Sequence, residues 1–316
     1  MKVAVIGAGA VGVAMCGDLL AMGECREVVL VDLNRDRSEG EVMDFSHTTS
    51  LVFSKNTKIV AGDYPDVTGS DIVIITAGAQ IKVGQDRKAL AEVNARIAVD
   101  IARQVERHAP NAILIVVTNP CDILAHFIIA NTGFSPDKVI SAGCVIDTAR
   151  LMKILGDKVG LDPKNVFGMV LGEHGSSCMI PWSVVSIAGQ SLDDYCAAES
   201  LQAFDKPALL EETKQAGLEI FRRKLNTNHG IAASVYRIVR AIAVNEHSVL
   251  PVGVLVQGAY GLYDVVLSLP AVVSARGIER VLHARRPAVE LAGRPAAAGA
   301  LLVVVAPGRH QTGLAA

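Results

Sequence analysis

Val3-Ala4-Val5-Ile6-Gly7-Ala8-Gly9-Ala10-Val11-Gly12 is the stretch that decides the fold. A β-rich apolar run leads straight into glycines spaced Gly-x-Gly-x-x-Gly, and a helical pattern follows over Val11–Met22. Gly7 permits a tight turn, Gly9 lets a backbone approach a pyrophosphate, and Gly12 lets helix and strand pack closely. A dinucleotide pyrophosphate then faces the positive end of the helix, at Val11 and Gly12. An ordinary glycine-rich turn is the competing reading. Asp32 argues against it, because it ends the next β-rich run, Val28–Val31, twenty positions after Gly12. A carboxylate there accepts hydrogen bonds from the adenosine ribose hydroxyls and repels a 2′-phosphate, so NAD is the expected cofactor. Arg35 and Arg37 lie close enough to soften the preference over NADP.

Further β-rich runs follow at Ile72–Ile75 and Ile113–Val117, with weaker ones at Lys58–Val60 and Lys138–Ser141. The strong runs do not alternate apolar with polar, as befits strands buried on both faces of a parallel sheet. Helical patterns at Arg35–Phe45, Lys88–Arg107 and Cys121–Ala130 separate them. This alternation predicts a doubly wound α/β domain of the Rossmann type over residues 1–143. From Cys144 the pattern changes to that of a second, α+β domain spanning 144–316. It has a helix at Asp147–Val159 and a strand at Val166–Leu171. A long helical region at Ala197–Asn245 is interrupted near Asn226–Gly230, and antiparallel strands follow at Val252–Leu267. The tail Ala284–Ala316 differs in composition, and Pro287, Pro295 and Pro307 leave room for one short helix at most.

The 316 residues suit two domains. With 51% hydrophobic and 20% charged residues, the chain can build a core. Thirty basic against 32 acidic side chains give a net charge of -2, which offers no electrostatic reason to expect nucleic acid or an anionic membrane as partner. The longest apolar run, Ala296–Ala306, is shorter than the roughly 18 residues of a membrane span. Cysteines at 16, 25, 121, 144, 178 and 196 form no Cys-x-x-Cys pair, so they read as reduced thiols of a cytoplasmic protein with no metal site.

Four short motifs remain. Gly84-Gln85-Asp86-Arg87 ends a loop after the fourth strand, and Thr118-Asn119-Pro120 ends the fifth. Asp147-x-x-Arg150 opens a helix, and Gly172-Glu173-His174-Gly175 follows a strand. Each is weak alone; in this order on this fold they resemble the L-lactate/L-malate dehydrogenase family, from Met1 to about Val281. Thr132-Gly133-Phe134, Asp147–Arg150 and Leu171–Ser176 look most like L-2-hydroxyisocaproate dehydrogenases and bacterial L-lactate dehydrogenases.

The resemblance implies NAD-dependent interconversion of a 2-keto acid and an L-2-hydroxy acid. His174 would exchange the proton, with Asp147 on its other ring nitrogen. Arg150 would hold the substrate carboxylate through a fork of two hydrogen bonds. Arg87, on a mobile loop, would polarise the carbonyl. Asn119 would donate to the same oxygen or steady the nicotinamide, with a cis bond to Pro120 as in the family. Thr227 would close the far side of the pocket. A homotetramer or dimer is also implied.

The position that chooses the substrate lies six residues before Arg87. Lactate dehydrogenases typically carry Gln there and malate dehydrogenases Arg, whereas this chain has Ile81. An apolar side chain suits lactate or a longer aliphatic acid, although Lys82 beside it leaves a one-residue shift of the loop open. Ser176 stands where many relatives have Asp or Asn, and the tail does not resemble the family's terminal helix. Malate dehydrogenase and a catalytically silent NAD-binding protein are the alternatives; the second has no use for His174, Asp147, Arg150 and Arg87 together.

Overall fold

The computed structural model describes residues 1–51, 56–79 and 87–282, with the backbone alone for 87–89. In chain order the first half runs β1 (Lys2–Ile6), α1 (Ala10–Met22), β2 (Glu27–Val31), α2 (Arg35–Thr48), β3 (Lys58–Gly62), β4 (Ile72–Ile75), α3 (Arg87–His108), β5 (Ile113–Val116), α4 (Cys121–Asn131) and β6 (Val139–Ser141). The second half runs α5 (Val145–Val159), β7 (Val166–Phe167), β8 (Ser186–Ile187), β9 (Gln190–Ser191), α6 (Leu192–Ala198), α7 (Lys206–Lys224), α8 (His229–Ala243), β10 (Ser248–Gln257), β11 (Tyr263–Ser274) and β12 (Gly277–Val281).

Six strands pair in parallel in the order β3-β2-β1-β4-β5-β6. Every residue of β4 and β5 is buried, which is why these runs read as continuously apolar. Side chains alternate between the two faces. Val3, Val5, Ile72, Ile74 and Ile115 join Met15 and Leu19 of α1 and Val235 and Ile238 of α8 in one core. Ala4, Ile6, Val73, Ile75 and Leu114 join Ile101 and Val105 of α3 and Leu124 and Ile128 of α4 in the other. The strand order reverses direction between β1 and β4, so the crevice beyond their carboxyl ends is the place for a ligand.

The same sheet continues through an antiparallel set. β10 meets β6 at one pair, Gly253 with Ser141, and β10, β11 and β12 form a meander. This hairpin carries Ser268 back to the site described below. A small antiparallel sheet, β7-β8-β9, lies apart from it in pairing.

Two sequence expectations change. The strand expected over Val166–Leu171 pairs only at Val166–Phe167. Beyond it the amide of Val170 is taken by the Thr148 hydroxyl at 2.9 Å, and Leu171 makes an isolated bridge to Met179. The chain leaves the sheet because its backbone groups are satisfied by side chains and by the next loop. The helical region from Ala197 begins in earnest only at α7, where Asp205 caps the amide of Ala208 and Pro207 follows in the first turn. The tail Ala284–Ala316 lies outside the described residues.

Candidate active site

The glycine-rich turn is shaped by close approach. Gly7 has a φ of 112°, and a Cβ there would stand 2.7 Å from the amide nitrogen of Ala77. A Cβ on Gly12 would stand 1.9 Å from the carbonyl oxygen of Gly7, so nothing larger than glycine fits between α1 and the turn. The Thr76 hydroxyl donates to the carbonyls of Ile6 and Gly7 at 3.1 and 3.0 Å and fixes the turn against β4. Gly9 is different: no atom lies within 4 Å of a Cβ placed there. The first turn of α1 carries no acidic residue, and Gly9 at its N-cap supplies no side-chain cap. The amides of Val11 and its neighbours therefore face an open approach at the positive helix end, which fits a dinucleotide pyrophosphate.

Asp32 follows β2 directly. Its carboxylate accepts the amide of Ala8 at 2.6 Å and that of Asn34 at 2.8 Å, which ties the glycine-rich turn to the end of β2. Each oxygen keeps a further acceptor site for a ribose hydroxyl. Arg35 pairs with Glu39 at 2.7 Å and Asp63 at 2.8 Å, so this cation is occupied by carboxylates.

On the other side of the crevice His174, Asp147 and Arg150 come together. Asp147 is in the first turn of α5 and is buried. One carboxylate oxygen meets His174 Nδ1 at 2.6 Å, and the other accepts Nη1 of Arg150 at 2.8 Å. Burial alone would hold the imidazole neutral; the hydrogen bond and charge of Asp147, with a further contribution from Asp122, outweigh it and raise the His174 pKa above 6.5. Burial likewise opposes the charge of Asp147, but the hydrogen bonds and positive charges of His174 and Arg150 together outweigh it and hold its carboxyl below the usual carboxylate range. With Nδ1 engaged, Nε2 is the nitrogen left to exchange a proton. Nε of Arg150 is buried and has no hydrogen-bond partner. Such an orphan donor costs about 1–3 kcal/mol. Gly217 of α7 makes the space, since a Cβ there would stand 2.8 Å from Nη2 of Arg150.

The Asn119–Pro120 bond is cis. Asn119 is exposed, and its carbonyl accepts Nδ2 of Asn94 at 3.0 Å. Asn94, buried in α3, also accepts the amide of Ala79 at 2.7 Å and so joins the end of β5 to the loop after β4. Thr227 is half-buried in the α7–α8 connection. The start of α8 just beyond it comes up to the start of α5, for a Cβ on Gly230 would lie 3.0 Å from Cδ1 of Ile146. Arg87 is the first residue of α3; its side chain and all of Ile81 lie outside the described residues.

Sequence reading missed Asn94, Asp122, Gly217 and Ser268. Asn94 carries a detectable signal, because it falls on the apolar stripe Asn94-Ala98-Ile101-Val105 of α3. Ser268 links β11 to the loop before His174 through paired backbone bonds with Gly172 at 2.8 and 2.9 Å, and nothing in the local sequence marks it. Among the described residues, no three His, Cys, Asp or Glu side chains gather to hold a metal.

Two family models match the chain: the lactate/malate dehydrogenase NAD-binding domain over residues 1–141, and the alpha/beta C-terminal domain of the same family over residues 144–286. L-lactate dehydrogenase 2 of Clostridium acetobutylicum is 41% identical over 287 residues, covering 89% of each chain. An L-lactate dehydrogenase of Clostridium botulinum is 42% identical over 283 residues, covering 89% of this chain and 88% of that one. Among solved structures, a minor L-lactate dehydrogenase from Enterococcus mundtii in a ligand-bound form superposes with a TM-score of 0.92 at 31% identity, over 97% of this chain and 99% of that one. A lactate dehydrogenase from a deep-sea metagenome library gives 0.91 at 32% identity, over 96% of both chains.

Two outcomes are expected. Gly9→Ala should leave the melting temperature within about 1 °C while weakening NADH binding, whereas Gly12→Ala should lower both; a fluorescence titration beside a thermal melt reads the difference, and unchanged NADH affinity in Gly9→Ala would contradict the assignment. His174→Ala should abolish turnover and leave NADH binding intact. A proton-donating role for His174 predicts that the rate of 2-keto-acid reduction falls with rising pH through a midpoint above 6.5. Asp147→Asn should move that midpoint to lower pH, and a midpoint that stayed put would remove Asp147 from the dyad.

Proposed function

The chain belongs to the lactate/malate dehydrogenase family and is an NAD-dependent oxidoreductase of the L-lactate dehydrogenase type, and we propose how its residues perform that chemistry. The reaction joins a 2-keto acid and an L-2-hydroxy acid. The observation that carries the reading is the Asp147 carboxylate shared between His174 and Arg150. It keeps an imidazolium and a guanidinium side by side, one to deliver a proton and one to receive a carboxylate.

The cofactor's part is the hydride added to C2 or taken from it. In reduction, His174 Nε2 gives its proton to the carbonyl oxygen as charge develops there, and Asp147 stabilises the imidazolium until then. In oxidation the same nitrogen takes the hydroxyl proton. Arg150 orients the substrate by its carboxylate, with its unpartnered Nε as one tine of the fork. Arg87 polarises the carbonyl, Asn119 donates to the same oxygen or steadies the nicotinamide ring, and Thr227 bounds the pocket. Gly7, Gly9, Val11, Gly12 and Asp32 hold the dinucleotide. The pairing of Arg35 with Glu39 and Asp63 supports NAD over NADP. Residues 1–143 form the NAD-binding domain, which also lends Ile81, Arg87 and Asn119 to the substrate, and 144–316 form the substrate domain.

Ile81 sets the substrate class. A second carboxylate placed against it is buried without a partner, which is strongly unfavourable. The protein therefore prefers aliphatic 2-keto acids, pyruvate or the longer 2-ketoisocaproate type, and malate chemistry is not favoured. It works as a homo-oligomer, a tetramer or dimer, in the cytoplasm; no described helix is long and apolar enough to cross a membrane.

The test is kcat/KM with NADH against pyruvate, 2-ketoisocaproate, phenylpyruvate and oxaloacetate. An aliphatic acid should exceed oxaloacetate by about 10–200-fold. Ile81→Arg should raise activity on oxaloacetate and lower it on the aliphatic acids. A parent enzyme that prefers oxaloacetate would mean that Lys82, not Ile81, faces the substrate.

A further inference from the structure

A second carboxylate holds the main chain of His174. Asp122 is the second residue of α4, is 6% exposed, and belongs to no ion pair with Lys or Arg among the described residues. Its Oδ2 accepts the backbone amide of His174 at 2.9 Å, and its Oδ1 accepts the Ser141 hydroxyl at 2.6 Å. The space around it is tight, since a Cβ on Gly253 of β10 would stand 2.7 Å from Oδ1 and 2.5 Å from Cβ of Ser141. Four elements therefore converge on this one carboxyl group: α4, β6, β10 and the loop that carries His174.

A purely structural anchor needs no charge. The donors at both oxygens are a peptide N–H and a hydroxyl, and an amide could satisfy them. A buried carboxylate without a cation is costly, and the cation that acts on Asp122 is His174. Burial raises the Asp122 pKa; the Ser141 hydroxyl, the His174 amide and the charge of the imidazolium work against that rise, and Asp122 in turn favours the protonated imidazole.

We propose that Asp122 is a positioning residue for proton transfer, fixing the main chain at His174 and stabilising the imidazolium alongside Asp147. The inference rests on the functional reading above. The charged groups that act on His174 are Asp147 and Arg150 on α5 and Asp122 on α4, while Ser141 of β6, Cys121 of α4 and Glu173 of the loop act on Asp122. Arg150 opposes the proton, and burial pushes the Cys121 thiol far up, so that group stays neutral. Asp122 and Asp147 are thus the carboxylates in direct hydrogen-bond contact with His174.

The experiment uses the full chain with Asp122→Asn and Ser141→Ala. Three readings are taken: the pH profile of kcat/KM for keto-acid reduction, the His174 ring titration by NMR, and NADH affinity. Removing a negative charge disfavours the imidazolium. In Asp122→Asn the alkaline midpoint and the ring titration should both fall by about half a unit to one unit, with NADH affinity held within about twofold. Ser141→Ala removes a donor that favours the Asp122 carboxylate, and should move both midpoints the same way by less. It decides the matter if Asp122→Asn does not fold. Reduced kcat with unmoved midpoints in the folded variants would overturn the proposal. A parent enzyme without turnover on any 2-keto acid would strike the functional reading instead, and the ring titration still judges Asp122.

Discussion

The site depends on one carboxylate serving two cations. Asp147 meets His174 Nδ1 at 2.6 Å and Arg150 Nη1 at 2.8 Å, while burial works against the charges of Asp147 and His174. The pair survives burial because each charge answers the other, and breaking one side leaves the rest uncompensated. The same bond selects the ring nitrogen that reacts, since engaging Nδ1 leaves Nε2 for the substrate. It also fixes a place for Arg150, whose Nε remains without a partner and whose planar head rests against Gly217. An imidazole and a guanidinium are thereby set side by side, and the proposed roles of proton donor and carboxylate receptor need that arrangement in place before substrate binds.

The fold supplies these neighbours from distant parts of the chain. The parallel sheet reverses its order between β1 and β4, opening the crevice where Gly7 and Gly12 let α1 approach the strand ends. β10 and β11 extend the sheet and return Ser268 to Gly172, which holds the loop before His174. The Ser268 hydroxyl accepts the amide of Cys144 at 2.9 Å, just ahead of α5 and Asp147. Asn94 ties the loop after β4 to Asn119. Buried polar groups, each satisfied, thus connect segments that hydrophobic packing alone would leave free to slide.

Much of this was legible in the sequence where the signal is local. The strands β1, β2, β4 and β5 announce themselves as apolar runs because both faces are covered, and the glycine spacing has a steric cause that the close contacts at Gly7 and Gly12 make explicit. Asp32 was legible from its distance to the turn, but its bonds to Ala8 and Asn34 were not, because they depend on how β2 lies beside β1. Asp122 reads in sequence as an acidic residue suited to a helix start; only the fold brings Ser141 and His174 to it. The Val166–Leu171 run misled because apolar β-rich composition says nothing of whether a partner strand exists. Thr148, eighteen residues earlier than Val166, takes the amide that a neighbouring strand would have used at Val170.

The central claim is that Asp147 keeps His174 protonated and ready to donate beyond the pH at which a free imidazole would lose its proton. Binding of oxamate, an unreactive analogue of pyruvate, to the enzyme–NADH complex measures this without turnover. A carbonyl that needs a proton donor binds only to the protonated ring, so Kd should be flat at low pH and rise about tenfold per pH unit beyond a midpoint above 6.5. A Kd that did not change with pH, or one that rose from a midpoint at or below 6.5, would contradict the account.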